Sequence, residues 1–437
     1  MNTTARFCLL TSLLFFCFGS NAQLLFSDNA IIHVSNGGIL HSNGGMKLDN
    51  STNLTNHGDI TVTKNTTLPE AGNFHFSSTT QVNGNGTYRI EQDWINDATF
   101  IGGNSTVILY GNTQQFITSN FGTVTDFNHL TLSGNGTGLN RRKTLQNVNA
   151  STSINGVLNL GDRELNTNTN TFYVQSTNTN AVIHNNTFEN EGFVSSLTPG
   201  FLHRNTNSTN AYLFPVGSSD GTLRYRPATI TPENNSLSEY AVRFNNYNPN
   251  TDMYFLAQKE NEIEESNVLF YHSIEHLDGS NNGNIRIYYV PANDGNWSGM
   301  ANWSTSQNLW QNTGETVSDA ISNFSFVEKN TWSIGTKYHP YVLINVGDEL
   351  VIPNVFTPNG DGVNDLYFVS SKGLTEFNMT ILNRWGNVVF ESNDAQTVWD
   401  GTSNGVNCTD GTYFYILNAK SQTKEYKKQG HITLNGQ

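Results

Sequence analysis

Ser35-Asn36-Gly37-Gly38-Ile39-Leu40-His41 runs directly into Ser42-Asn43-Gly44-Gly45-Met46-Lys47-Leu48, so Ser-Asn-Gly-Gly at 35–38 recurs at 42–45. Around this pair, short apolar clusters begin near residues 31, 39, 46, 54, 60 and 68, a step of six to eight residues. Within the clusters, apolar residues stand two apart. Met46/Leu48, Ile60/Val62, Phe74/Phe76, Val107/Leu109, Leu130/Leu132, Leu158/Leu160 and Phe172/Val174 each put two side chains on one face of a strand. Strands this short and this closely spaced are too brief for an ordinary sandwich. They fit coils of about three strands per turn whose stacked rungs bury the inward residues. The expectation for 23–195 is a β-solenoid-like region, with a meandering sandwich as the alternative.

Composition agrees. Among 437 residues there are 64 Asn, 49 Thr and 38 Gly but only 10 Pro, and charged residues make up 13%, about half the usual share. Asn and Gly favour turns and Thr favours strands, so the chain reads as all-β. This bias argues against a helical bundle, a doubly wound nucleotide-binding fold and a multi-span membrane protein. The net charge of −14 argues against nucleic acid as a partner, because phosphate binding needs a basic surface. The small basic clusters Arg141-Arg142-Lys143 and Lys424 to Lys428 read as solvated loops or strand edges.

Residues 1–22 read as a secretory signal peptide. Arg6 supplies the positive start, Leu9 to Phe18 the apolar core, and Ser20-Asn21-Ala22 the cleavage site. Cys8 and Cys17 lie within it, which leaves Cys408 alone in the mature chain and no intramolecular disulfide. No later stretch is long and apolar enough to cross a membrane as a helix.

From about 193 the texture changes to longer strand-like runs, Tyr212-Leu213-Phe214-Pro215-Val216-Gly217 and Tyr225-Arg226-Pro227-Ala228-Thr229-Ile230 among them. Residues 196–345 are expected to form an antiparallel β-sandwich, with 257–266 as a short helical connector. Further on, Pro353-Asn354-Val355-Phe356 is a short strand and Thr357-Pro358-Asn359-Gly360-Asp361-Gly362 a turn. Phe377 to Leu382, the turn Asn383-Arg384-Trp385-Gly386-Asn387, the turn Trp399-Asp400-Gly401, and the strands starting at Gly411 and Gly430 complete a small immunoglobulin-like sandwich.

These last motifs resemble the gliding motility-associated C-terminal domain of Bacteroidetes. The residues that carry the resemblance are Pro353, Asn354, Phe356, Pro358, Asn359, Gly360, Asp361, Gly362, Asn364, Asp365, Asn383, Arg384, Trp385, Gly386, Trp399, Asp400, Gly401, Gly411 and Tyr413. The resemblance implies a type B sorting domain at 346–437, read by the type IX secretion translocon and its outer-membrane accessory proteins. It places the mature chain outside the cell or on its surface, after transit through the periplasm. The passenger would serve adhesion or gliding motility, with a surface glycan or surface protein as ligand. An extracellular carbohydrate-binding protein or carbohydrate-active enzyme on a β-helix scaffold is the alternative.

Residues able to do chemistry are few. His272-Ser273-Ile274-Glu275-His276 matches H-x-x-E-H, which can hold zinc only on a helix; in a strand, positions four apart lie ~13 Å apart. Asn359, Asp361, Asn364 and Asp365 offer oxygen ligands to calcium but are equally good turn formers, and both readings stay open. Cys408 sits in a turn sequence with no His/Asp arrangement nearby. Asp294 and Asp319 have no paired acid, so no glycosidase dyad can be argued. Trp297, Trp303 and Trp310 could form a sugar platform or a sandwich core, and core is the expectation. Overall the chain is expected to be non-enzymatic and to hold no cofactor.

Overall fold

A computed structural model describes residues 24–436, apart from 66–70, 78, 186–190, 280–281, 315–316, 322, 333–338, 348 and 422–423. The expected signal peptide, the apolar cluster near 68 and Ile334 lie outside the described residues. The all-β expectation holds: among the described residues the α-helix is a single turn, Pro291–Asp294. By Cα proximity the chain forms two compact units, one of residues up to 260 with 266–343, the other of 261–265 with 344–437.

In the first unit, successive strands return to the same parallel sheets. Leu25–Asp28, Met46–Asp49, Phe74–Phe76, Trp94–Asn96, Gln115–Thr118, Arg142–Gln146, Glu164–Asn166 and Phe193–Ser195 stack in one sheet. Ile31–Val34, Asn53–Asn56, Gln81–Gly84 and Thr99–Ile101 form a second, which ends there. A third stacks Ile39–Asn43, Asp59–Thr63, Thr87–Ile90, Thr106–Leu109, Thr125–Leu132, Ala150–Gly161, Thr171–Val174 and Phe201–Thr206. Four coils therefore carry three strands and the later ones carry two principal strands. All seven apolar dyads quoted above are buried. In-register stacking brings Met46 onto Phe74, Phe74 onto Trp94 and Trp94 onto Ile117, and the Trp94 ring lies 5.0 Å from Phe100 and 5.5 Å from Phe127 between centroids. Polar side chains stack too: Thr55 Oγ1 donates to Asn83 Oδ1 at 3.0 Å, and Asn83 Nδ2 to Asn53 Oδ1 at 3.3 Å.

The third sheet then changes direction. Phe201–Thr206 pairs antiparallel with Ser238–Asn245, which pairs with Tyr271–Asp278, which pairs with His339–Val346. A separate antiparallel sheet holds Tyr212–Phe214, Ala228–Pro232, Gly283–Tyr289, Phe324–Trp332 and Val317–Ile321. One apolar core runs from Val34 through both regions to Leu343. Arg204 is buried at the change of direction, donating to the carbonyls of Leu213 at 2.5 Å, Asn178 at 3.1 Å and Thr179 at 3.2 Å.

Two sequence expectations are corrected. The helical connector at 257–266 is turns followed by the strand Ile263–Ser266, which pairs with His339–Val346. A ten-residue segment rarely holds a helix by itself, whereas a sheet edge satisfies its backbone directly. The triplet Arg141-Arg142-Lys143 is no solvated loop, since Arg142 and Lys143 are buried. Arg142 pairs with the buried Glu164 at 3.2 Å and with Asp220 at 2.8 Å, and Glu164 also accepts from Ser195 and Ser219 at 2.5 Å. Such a network offsets the cost of removing these charges from water.

Candidate functional site

The second unit contains a five-stranded sheet in the order Val355–Phe356, Glu425–Leu434, Gly411–Ser421, Leu374–Leu382, Val388–Ser392. Its core is aromatic. Phe356, buried by parallel pairing of its strand with Thr433 and Leu434, lies 5.1 Å from the Trp399 ring and 5.6 Å from Tyr367. Trp399 in turn meets Tyr413 at 5.3 Å. The polar ends of these rings are satisfied. Tyr367 donates to the Pro353 carbonyl at 2.9 Å, Trp399 Nε1 to Thr402 at 2.8 Å, and Tyr413 to Thr409 at 2.8 Å. Asn354 closes the set by accepting from the Thr433 N–H at 2.8 Å.

Other motif residues shape turns. Asp365 accepts from the N–H groups of Gly360 at 2.6 Å and Gly362 at 2.7 Å, and Asp361 from Val363 at 2.8 Å. Asn359 accepts from Asp361 at 3.0 Å, and the Asn364 carbonyl from Thr357 at 2.8 Å. Gly360 and Gly362 have φ of 78° and 85°, which favours glycine, and Asn364 has φ of 56°. Side-chain oxygens of Asn359, Asp361 and Asp365 thus accept the loop's own N–H groups, and Asn359 Nδ2 donates to the second Asp361 oxygen at 3.1 Å. Pro358 is half-buried at its start. Asn383 Oδ1 accepts from both Trp385 and Asn387 at 3.0 Å, with Gly386 returning to the Asn383 carbonyl at 2.9 Å. Hydrogen bonds from the Thr402 hydroxyl and N–H hold the Asp400 carboxyl below its ordinary value and fix the turn through Gly401.

One motif side chain stands apart: Trp385 is 80% exposed at the tip of its turn. It borders a groove of about 340 Å³ lined by Arg384, Val388, Val406, Cys408 and Tyr413. Gly411 is also on this wall, where an added Cβ would come within 3.2 Å of the Arg384 guanidinium. Burial pushes the Cys408 thiol up, helped by the Asp400 charge, which keeps it in the unreactive protonated form. Sequence reasoning missed Tyr367 and also Ile416, which is exposed on the sheet beside Phe414, a residue the Gly411 motif already contained. Their alternation within Gly411-Thr412-Tyr413-Phe414-Tyr415-Ile416-Leu417 was the available signal.

The other candidate residues are dispersed. His272, Glu275 and His276 all lie in the strand Tyr271–Asp278 and are buried. His272 donates from Nε2 to the Arg226 carbonyl at 2.7 Å, and burial lowers its pKa to about 4. Asp294 is buried against Arg226, at 2.5 and 2.9 Å. Trp297, Trp303 and Trp310 are buried as core residues, the last two meeting at 5.5 Å. Among the described residues no group of three or more His, Cys, Asp or Glu could hold a metal ion.

The aromatic-cored sheet thus carries three Asx-stabilised turns and one exposed motif tryptophan. Residues 350–434 match the CHU_C Type IX secretion signal domain family, so the chain carries a type IX secretion C-terminal sorting domain there. It is an exported, largely β-structured protein. No curated protein and no solved structure matches the chain. Among the described residues no helix is long and apolar enough to cross a membrane.

Proposed function

We propose that this is a non-enzymatic surface or secreted protein of the adhesion or gliding-motility class. Its passenger is a β-solenoid (23–195) continued by an antiparallel sandwich (196–345), delivered by the sorting domain (346–437). The sorting domain at 350–434 is the observation that carries the reading. The signal peptide takes the chain to the periplasm, and the type IX translocon with its outer-membrane accessory proteins takes it outward. The polar ladders along the stacked strands support recognition by an extended surface, of a glycan or of another surface protein. Trp297, Trp303 and Trp310 are buried and so offer no aromatic platform to a sugar. Deleting residues 346–437 tests the address: the passenger should remain in the periplasm, and normal export of the truncated chain would overturn the reading. Surface attachment of cells with and without the protein then tests the adhesive role.

A further inference from the structure

The interior of the stacked coils is apolar along Met46, Phe74, Trp94, Ile117 and Leu145, but two residues earlier on the last two of these strands it is not. Gln115 and Lys143 are paired in register on adjacent parallel strands and both are 0% exposed. They sit just after the second sheet has ended at Thr99–Ile101, where each coil has lost one of its three strands. Lys143 Nζ donates to Gln115 Oε1 at 2.5 Å and to the Gly111 carbonyl at 2.8 Å. The same Oε1 accepts the Gly111 N–H at 2.8 Å, while Gln115 Nε2 donates to the carbonyls of Ile90 at 3.1 Å and Gln92 at 2.5 Å. Every polar atom of the carboxamide is therefore held, and the amine lies 2.5 Å from its oxygen.

We propose that Lys143 and Gln115 join in an intramolecular isopeptide bond that ties these two coils together. Three features of the site suit that chemistry. Burial, reinforced by the Arg163 charge, lowers the Lys143 pKa to about 7, so the free amine, the nucleophilic form, is populated near neutrality. The Gly111 N–H is aimed at the oxygen on which negative charge develops. Asp93 is anchored by the Phe116 N–H at 2.8 Å, one residue from Gln115, acts electrostatically on Lys143, and has its carboxyl pushed up by burial, so it can carry a proton.

The Nζ lone pair attacks Cδ of Gln115, forming the Nζ–Cδ bond and placing charge on Oε1. Collapse of that adduct breaks the Cδ–Nε2 bond. One Nζ proton passes through Asp93 to the departing nitrogen, which leaves as ammonia. No oxidant or reductant enters. For an exported chain with Cys408 as its only cysteine after signal cleavage, such a bond supplies the staple that a disulfide cannot.

Peptide mapping and mass spectrometry of the purified exported protein test this. The expected result is a branched peptide joining the segments that contain Gln115 and Lys143, lighter than the sum of the two free peptides by the one ammonia that the new bond releases. Two separate, unmodified peptides overturn the proposal whatever any variant does. Lys143→Met should abolish the joined species and restore the full mass. An ammonia loss that survives Lys143→Met belongs to ring closure at an Asn-Gly pair and also overturns it. Asp93→Asn keeps the pair in place and should slow bond formation on refolding by roughly a hundredfold; an unchanged rate would overturn the part given to Asp93.

Discussion

The rings of Trp399 and Tyr413 meet edge to face with centroids 5.3 Å apart and an interplanar angle of 69°. Both belong to motifs that are separate in sequence, and their contact joins a turn to the central strand of the sorting domain. Trp399 is 1% exposed and Trp385 is 80% exposed, so two motif tryptophans do different work. Trp399→Ala should cost about 3–5 kcal/mol and leave the sorting domain unfolded, read as loss of its near-UV signal and retention of the chain in the periplasm. Trp385→Ala should change stability by no more than about 0.5 kcal/mol and still reduce secretion. A Trp385→Ala chain secreted at the normal rate would show that this side chain is not part of the address.

Arg204 is a buried cation held by three carbonyls and by the faces of Tyr212 and Phe214, 5.4 and 5.9 Å away. Arg204→Ala removes a donor from the carbonyls of Leu213, Thr179 and Asn178, the last of which keeps the Ala181 N–H at 3.0 Å, at a cost of roughly 1–3 kcal/mol for each carbonyl left unpaired away from water. Arg204→Lys should recover little, because an ammonium cannot span the same fork. Thermal melting of the two variants measures the difference; equal stability of Arg204→Lys and the parent would refute the role of the planar group.

His272 makes stability depend on pH. Its folded pKa is lowered to about 4 by burial, against roughly 6.5 in an unfolded chain. Between those values the unfolded chain binds the extra proton, so stability is complete above the upper value and is lost as pH falls toward the lower one. The loss attributable to this residue is up to about 3 kcal/mol. Denaturant titrations from pH 7 to pH 4 should show it, and His272→Gln should flatten that part of the profile. A profile unchanged by the substitution would remove His272 as the cause.

Asp365 gathers the N–H groups of Gly360 and Gly362 into one turn. Asp365→Ala should destabilise the sorting domain by about 1–2 kcal/mol, discounted from buried values because the loop is exposed. Since the backbone already engages these oxygens, calcium or a chelator should leave the melting temperature of the full chain unchanged. A calcium-dependent rise that disappears in Asp365→Ala would establish a cation site instead.

Much of the architecture was legible locally. The apolar dyads pointed inward because alternation on a strand is a property of the backbone, whatever the strand packs against. The Asn and Gly of Asn359 to Asp365 and Asn383 to Asn387 marked turns because an Asn side chain bonds its neighbouring backbone and Gly adopts positive φ without strain. The helix expected at 257–266 failed for the complementary reason: residues 263–266 took their partners from a strand some eighty residues away. Arg142 and Lys143 misled in the same way, since nothing in a basic triplet announces Glu164, Asp220 or Gln115.

What the amino-acid sequence determined by itself was the all-β character, the turns and the C-terminal address, each written in neighbouring residues. The tertiary structure alone decided which polar side chains would be shut inside. Parallel stacking pairs residues about twenty to thirty positions apart, as with Gln115 and Lys143, and that register comes from the summed lengths of intervening turns and not from any local pattern. The amine and the carboxamide were visible in the chain from the start; only the coil brings them to 2.5 Å.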